Sequence, residues 1–155
     1  MVDRTDERSR RVYVVDDNAQ NRELIIGFLD ALEIDGVGVD LVPFASGADA
    51  LAACEQSPPD LVLLDIMMPR LSGYQVCERL RALPGLESVP VLMLTALNES
   101  TDVERALEAG ANDFLIKPVQ RQELVARVEA HLAVRRCSLR VEAVVERARA
   151  VFGSA

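Results

Sequence analysis

Short apolar runs alternate with longer helical patterns five times along this chain. The runs cover residues 12–15, 39–44, 61–64, 91–94 and 114–116. Apolar stretches this short, bounded by polar or turn residues, suit strands covered on both faces. Between them lie amphipathic segments. Residues 21–32 place Leu24, Ile25, Phe28, Leu29 and Leu32 on one helical face. Ser46 opens a second helix with Ala50, Leu51 and Cys54 aligned, and Ser72–Gly73 precede a third carrying Val76, Cys77, Leu80 and Leu83. A fourth spans residues 101–109 and stops at Gly110, the residue type that most readily ends a helix in the left-handed conformation. A fifth starts near Arg121 with Leu124, Val125, Val128 and Leu132. Strict strand–helix alternation predicts an α/β fold: a doubly wound parallel sheet with helices on both faces, joined by right-handed crossovers.

Such a sheet puts its crevice at the carboxyl ends of its strands, so chemistry should sit just after each apolar run. It does. The first strand ends in Asp16 and Asp17, the third in Asp65, the fourth in Thr95, and the fifth is followed by Lys117 and Pro118. A lone Asp after a strand is usually a cap or turn residue, and Lys is usually solvated surface. Their joint placement on one sheet edge is what points to a site. Three carboxylates at close quarters repel one another unless a cation enters, and an open, oxygen-only site favours Mg²⁺. Lys117 adds a fixed positive charge and Thr95 a hydroxyl donor. The set suits reception of a phosphoryl group, where charge neutralisation and alignment dominate. Asp65, alone at the end of the central strand, is the expected nucleophile.

Charge and composition narrow the alternatives. A formal net charge of −8 over 155 residues, with no basic patch, argues against direct nucleic-acid binding. Cys54, Cys77 and Cys137 are odd in number and far apart, and are expected to be reduced thiols packed or half-packed in helices. With no C-x-x-C and only His131 as histidine, a transition-metal site is not expected. The charged residues 1–10 do not form a signal peptide, and no run is long enough for a membrane span. A cytoplasmic protein without membrane contact is expected.

The residues VYVVDDN (12–18), DLVLLDIMMPRLSGYQVCERLR (60–81), VPVLMLTA (89–96) and AGANDFLIKPV (109–119) resemble the receiver domain of bacterial two-component systems. The likeness runs from about residue 11 to 134. It implies a flavodoxin-like, five-stranded sheet of order 2-1-3-4-5, and a phosphorylation-dependent signalling switch rather than a metabolic enzyme. By the resemblance, Asp65 is the phosphoacceptor and Asp17 a direct Mg²⁺ ligand. Asp16 would act partly through water, and the Met67 backbone carbonyl would complete the protein's share of the metal shell. Lys117 would contact the phosphoryl group through a cis bond to Pro118. Thr95 and Phe114 would move together as the switch pair, altering the surface of the fourth helix, fifth strand and fifth helix. The implied donor is a sensor histidine kinase or phosphotransfer protein, and the implied reader a downstream protein target.

Three departures stand out. Phe114 has no hydroxyl to satisfy when its ring turns inward. Met67 and Leu97, two positions after Asp65 and Thr95, are apolar and cannot orient a hydrolytic water, so slow autodephosphorylation is expected. Residues 33–42 are slightly long for the family and are expected to form a loop extension.

Beyond residue 134 the chain continues as a helical extension (135–155). Val134, Cys137, Val141, Val144, Ala148 and Val151 recur in steps of three and four, the seam of a coiled coil. The fifth helix therefore runs on, or breaks briefly and restarts. A homodimer through residues 134–152 competes with a helix folded back on its own domain or a frayed linker.

Rival readings lack their own signatures. A haloacid-dehalogenase-like phosphatase resembles D-x-D after the first strand, where this chain has adjacent aspartates. A flavodoxin-like cofactor binder needs a Gly- or Ser/Thr-rich phosphate cradle in the same loop. A binding module that has lost phosphorylation would not need all five strand-end residues.

Overall fold

Alternation along the central strands sets the layering. In β4 (Leu61–Asp65), Leu61 and Leu63 pack into one buried cluster while Val62 and Leu64 pack into the other. β1 (Arg10–Val15) and β5 (Val91–Thr95) divide their side chains in the same way. The computed structural model describes residues 10–96 and 100–152. One face is covered by α2 (Gly47–Gln56), α3 (Gly73–Ala82) and α4 (Ser100–Glu108), the other by α1 (Ala19–Leu29) and α5 (Arg121–Phe152). Each fully buried aliphatic side chain contributes about 1.5–3 kcal/mol, and β4, with five buried residues, is the spine of both layers.

Together with β2 (Glu33–Ile34), β3 (Val37–Phe44) and β6 (Asp113–Ile116), the sheet runs β2-β3-β1-β4-β5-β6. The five expected strands keep their order and are parallel to their neighbours. The sheet nevertheless has six strands among the described residues. Residues 33–42 form no loop: Glu33 pairs with Gly38 and Ile34 with Val37 in an antiparallel hairpin. Its two-residue turn, Asp35–Gly36, has φ of 54° and 78°. Positive φ at both positions is what a tight hairpin turn requires, and Asp-Gly tolerates it.

Capping fixes the helix starts. The Asn18 side chain accepts from the N–H groups of Gln20 and Asn21, so α1 begins earlier than apolar periodicity indicated. It also ends sooner, leaving Leu32 outside the helix, and Leu24 is 50% exposed where a buried position was expected. Ile25 and Leu29 alone from that stripe are fully buried. Ser46 caps α2, and Ser72 with Gln75 forms a reciprocal capping box on α3. Gly110 closes α4 at φ 103°.

Arg81 ties the amino ends of the strands together. Its guanidinium donates to the carbonyls of Gly110 (2.8 and 3.0 Å), Leu86 (3.1 Å) and Val89 (2.5 Å) and to Asn112 Oδ1 (2.7 Å). Cys54 and Cys77 are buried, and burial pushes both thiols up to about 11, so neither is a thiolate near neutrality. Cys137 is exposed on α5 rather than packed. No helix among the described residues is long and apolar enough to cross a membrane.

Candidate functional site

β1 and β4 are adjacent and parallel, so their carboxyl ends bring Asp16 and Asp65 side by side at the switch point. One oxygen each from Asp16, Asp17 and Asp65 lies within 4.8 Å of the others. Asp16 and Asp65 are buried and Asp17 is exposed, which gives the cluster a closed floor and an open mouth. Asp16 is held firmly. The Asn18 N–H donates to its carboxylate at 2.9 Å, and the Arg22 guanidinium donates to its backbone carbonyl at 2.7 Å.

Lys117 arrives from the adjoining end of the sheet. Its N–H bonds the Thr95 carbonyl at 2.7 Å as β6 ends, and the next peptide, Lys117–Pro118, is cis. The half-buried ammonium lies 3.1 Å from Asp65 Oδ1 and 3.4 Å from Asp16 Oδ2. One positive charge therefore faces three negative ones. Burial and the nearby Asp16 charge raise the Asp65 carboxyl above its usual range, opposed by Lys117 and the Met67 N–H. That residual negative charge, with oxygen-only donors and an open side, fits a hard divalent cation. Asp16, Asp17 and Asp65 could hold it.

Thr95 is buried at the end of β5, and Phe114 is half-buried in β6 against the same cluster as Met93. The Met67 side chain is 64% exposed, while Leu97 lies outside the described residues.

Two participants were not anticipated. Gly73, the first residue of α3, donates its N–H to the Ile66 carbonyl at 2.9 Å. A Cβ there would lie 2.5 Å from the Asp65 carbonyl oxygen and 2.7 Å from Ile66 Cα, so only glycine lets α3 seat beneath the end of β4. Arg22 has no sequence signal beyond being an arginine on the first turns of α1.

The outer face of β6 carries a second charged group. The Asp113 carboxylate accepts from Arg127 Nη1 at 2.8 and 2.9 Å and lies 3.1 Å from His131 Nε2, joining β6 to α5 just before Phe114. His131, expected as a packing or surface residue, is half-buried in this contact. Burial alone would raise the Asp113 carboxyl, but the bonds from His131, Arg127 and its neighbour's N–H hold it below the usual value. Its contribution to stability is therefore complete above the ordinary Asp pKa of about 3.9 and is lost as pH falls through the lowered folded value. Asp113→Asn is expected to cost about 1 kcal/mol at neutral pH. Urea unfolding of the two proteins should converge in strongly acid solution.

Residues 12–129 match the family described as response regulator receiver domain. The chain belongs to the receiver family of response regulators. DNA-binding response regulator MtrA of Mycobacterium tuberculosis (strain ATCC 25618 / H37Rv) is 42% identical over 127 residues, covering 82% of this chain and 52% of that protein. The chain thus spans about half the length of the curated relatives it matches. The signal receiver domain of a signal transduction histidine kinase from Syntrophus aciditrophicus is 30% identical, with a TM-score of 0.72 over 81% of this chain and 91% of that one. The chemotaxis response regulator CheY4 of Vibrio cholerae also has a TM-score of 0.72, at 25% identity, over 80% of this chain and 99% of that one. This receiver therefore has the fold and family of a phosphorylation-dependent signalling switch.

Proposed function

We propose that Asp65 is the phosphoacceptor of this receiver, taking a phosphoryl group from the phosphohistidine of a sensor histidine kinase or phosphotransfer protein. The observation that carries this reading is the placement of Asp65, buried between the Lys117 ammonium and the Asp16–Asp17 pair. An Asp65 carboxylate oxygen attacks phosphorus as the donor's N–P bond breaks, leaving an acyl phosphate on Asp65 and a neutral imidazole on the donor after protonation. Lys117 holds the carboxylate before transfer and a phosphoryl oxygen after it. The Thr95 hydroxyl donates to another oxygen, drawing Thr95 inward and letting Phe114 follow. The altered surface is that of α4, β6 and α5, where Asp113, Arg127 and His131 already couple strand to helix. Asp16, Asp17 and Asp65 with the Met67 backbone carbonyl would hold Mg²⁺, which when bound neutralises the charge on the transferring oxygens.

Residues 11–134 make up the switch, and the helical extension from 135 carries its state to a downstream protein target or output domain. The matched region makes up 52% of the relative named as DNA-binding, and this chain's net charge of −8 disfavours a phosphate backbone. The reading places the switch in the cytoplasm, with its kinase.

Incubation with acetyl phosphate and Mg²⁺ should add one base-labile phosphoryl group by intact mass to the wild type and none to Asp65→Asn. Labelling of the variant at the wild-type rate would remove Asp65 from its role. The same sample, diluted from donor, tests the proposed slow self-hydrolysis. Met67→Asn with Leu97→Glu should shorten the acyl phosphate's lifetime, because each supplies a polar group able to orient water.

A further inference from the structure

We infer that α5 pairs in parallel and in register with α5 of a second copy of this chain, through the face turned away from its own domain. This goes beyond the phosphoacceptor reading and stands apart from it. α5 is one uninterrupted helix of 32 residues, and the last fully buried side chain among those described is Leu132. The remaining twenty residues would leave an apolar stripe in water. Val134 is 65% exposed, Val141 61%, Val144 62% and Val151 73%, with Cys137 and Ala148 completing the stripe. A contiguous exposed stripe of this kind marks an interaction surface.

Three features select a second copy as its occupant. The first is spacing: the stripe recurs in steps of three and four, so two identical helices side by side match valine to valine, cysteine to cysteine and alanine to alanine, with no charge in the seam. The second is direction. At 100° per residue, the seam centres about 190° round the helix from the domain-facing stripe of Leu124, Val128 and Leu132. A partner helix can therefore lie along it with both receiver domains outside. Exposed Ala130 and Ala133 extend the same face as far as Arg127, which is held by Asp113 and Glu123, so the two helices can stay close along about 33 Å.

The third feature is charge. The sequence places Arg140 and Arg147 immediately before Val141 and Ala148 in the seam. An antiparallel pair would set Arg140 of each helix beside Arg147 of the other. In the parallel pair these helix positions lie beside positions 145 and 152, which carry no like charge. Like-charge repulsion therefore selects the parallel arrangement.

Cys137 provides a native probe. In the parallel register the two Cys137 residues share one layer between helices about 8–10 Å apart. In the fully overlapped antiparallel alternative they are separated by about 16 Å along the axis. Sedimentation of the full chain should show concentration-dependent dimers, and a short bismaleimide should join two chains by adding one Cys137 thiol across each maleimide. Cys137→Ser should lose the linked product. Val141→Asp with Val144→Asp should shift the chain to monomer and abolish linking, while acetyl phosphate still labels Asp65 at the wild-type rate. A chain that remains monomeric at the highest soluble concentration overturns the inference. So does a dimer that cannot be linked through Cys137, or one that survives the Val141→Asp, Val144→Asp change. Labelling of Asp65 reports on the phosphoacceptor reading separately, so failure of one leaves the other measurable.

Discussion

Lys117→Ala is expected to slow phosphoryl acceptance from acetyl phosphate by about 10²–10³-fold while tightening the binding of Mg²⁺. The two effects have opposite signs for one electrostatic reason. Lys117 lies 3.1 Å from Asp65 and 3.4 Å from Asp16, so its removal leaves the carboxylates more negative and more attractive to a free cation. The same removal deprives the incoming phosphoryl oxygens of a fixed positive partner in a buried place where that charge counts for most. Phosphorylation followed by intact mass gives the rate, and titration calorimetry gives the affinity. If both fall together, Lys117 acts by holding the fold rather than by its charge. If neither changes, it has no place in the site. Lys117→Arg keeps the charge but cannot keep its compact geometry, and should recover only part of the rate.

Gly73→Ala is expected to destabilise the protein by roughly 2–4 kcal/mol and to depress phosphorylation of Asp65 in whatever fraction stays folded. The added carbon meets backbone, not a flexible side chain: the Asp65 carbonyl oxygen at 2.5 Å and Ile66 Cα at 2.7 Å. Relief requires either α3 to back away, breaking the Gly73–Ile66 hydrogen bond, or the end of β4 to shift, carrying Asp65 with it. Gly27→Ala is the internal control. Nothing lies within 4 Å of a Cβ there, and α1 should gain about 0.5–1 kcal/mol from the exchange. Urea unfolding of both variants separates a steric cause from a general intolerance of glycine replacement. A Gly73→Ala protein as stable as the wild type would show that the close approach at β4 has slack.

The five parallel strands and their order were legible because both faces are covered: β4 and β5 read as unbroken apolar runs with polar ends. The gathering of Asp16, Asp65 and Lys117 followed from the fold itself, since strand ends converge whatever else the sequence does. Leu24 departs from expectation because its apolar stripe of five residues lies on a helix that fully buries only two of them. The hairpin at Glu33–Gly38 has a direct signal in Asp35–Gly36, but its first strand is only two residues long, too short to show alternation, so the segment reads as a loop. In the sequence Gly73 marks only a helix start. Its close approach to Asp65 depends on the path of α3 under β4, which no local pattern contains.

That hairpin also governs how the sheet terminates. Without it, the outer hydrogen-bonding groups of β3 would form an open template on which a stray extended chain could build, the route by which sheet proteins coalesce into fibrous aggregates. β2 occupies the start of that template, and is itself only two residues long, opening on the acidic Glu33 and followed by Asp35. It is too short and too negative to seed the next strand, so the sheet edge beside Val37 and Gly38 is a poor site for adding a foreign chain.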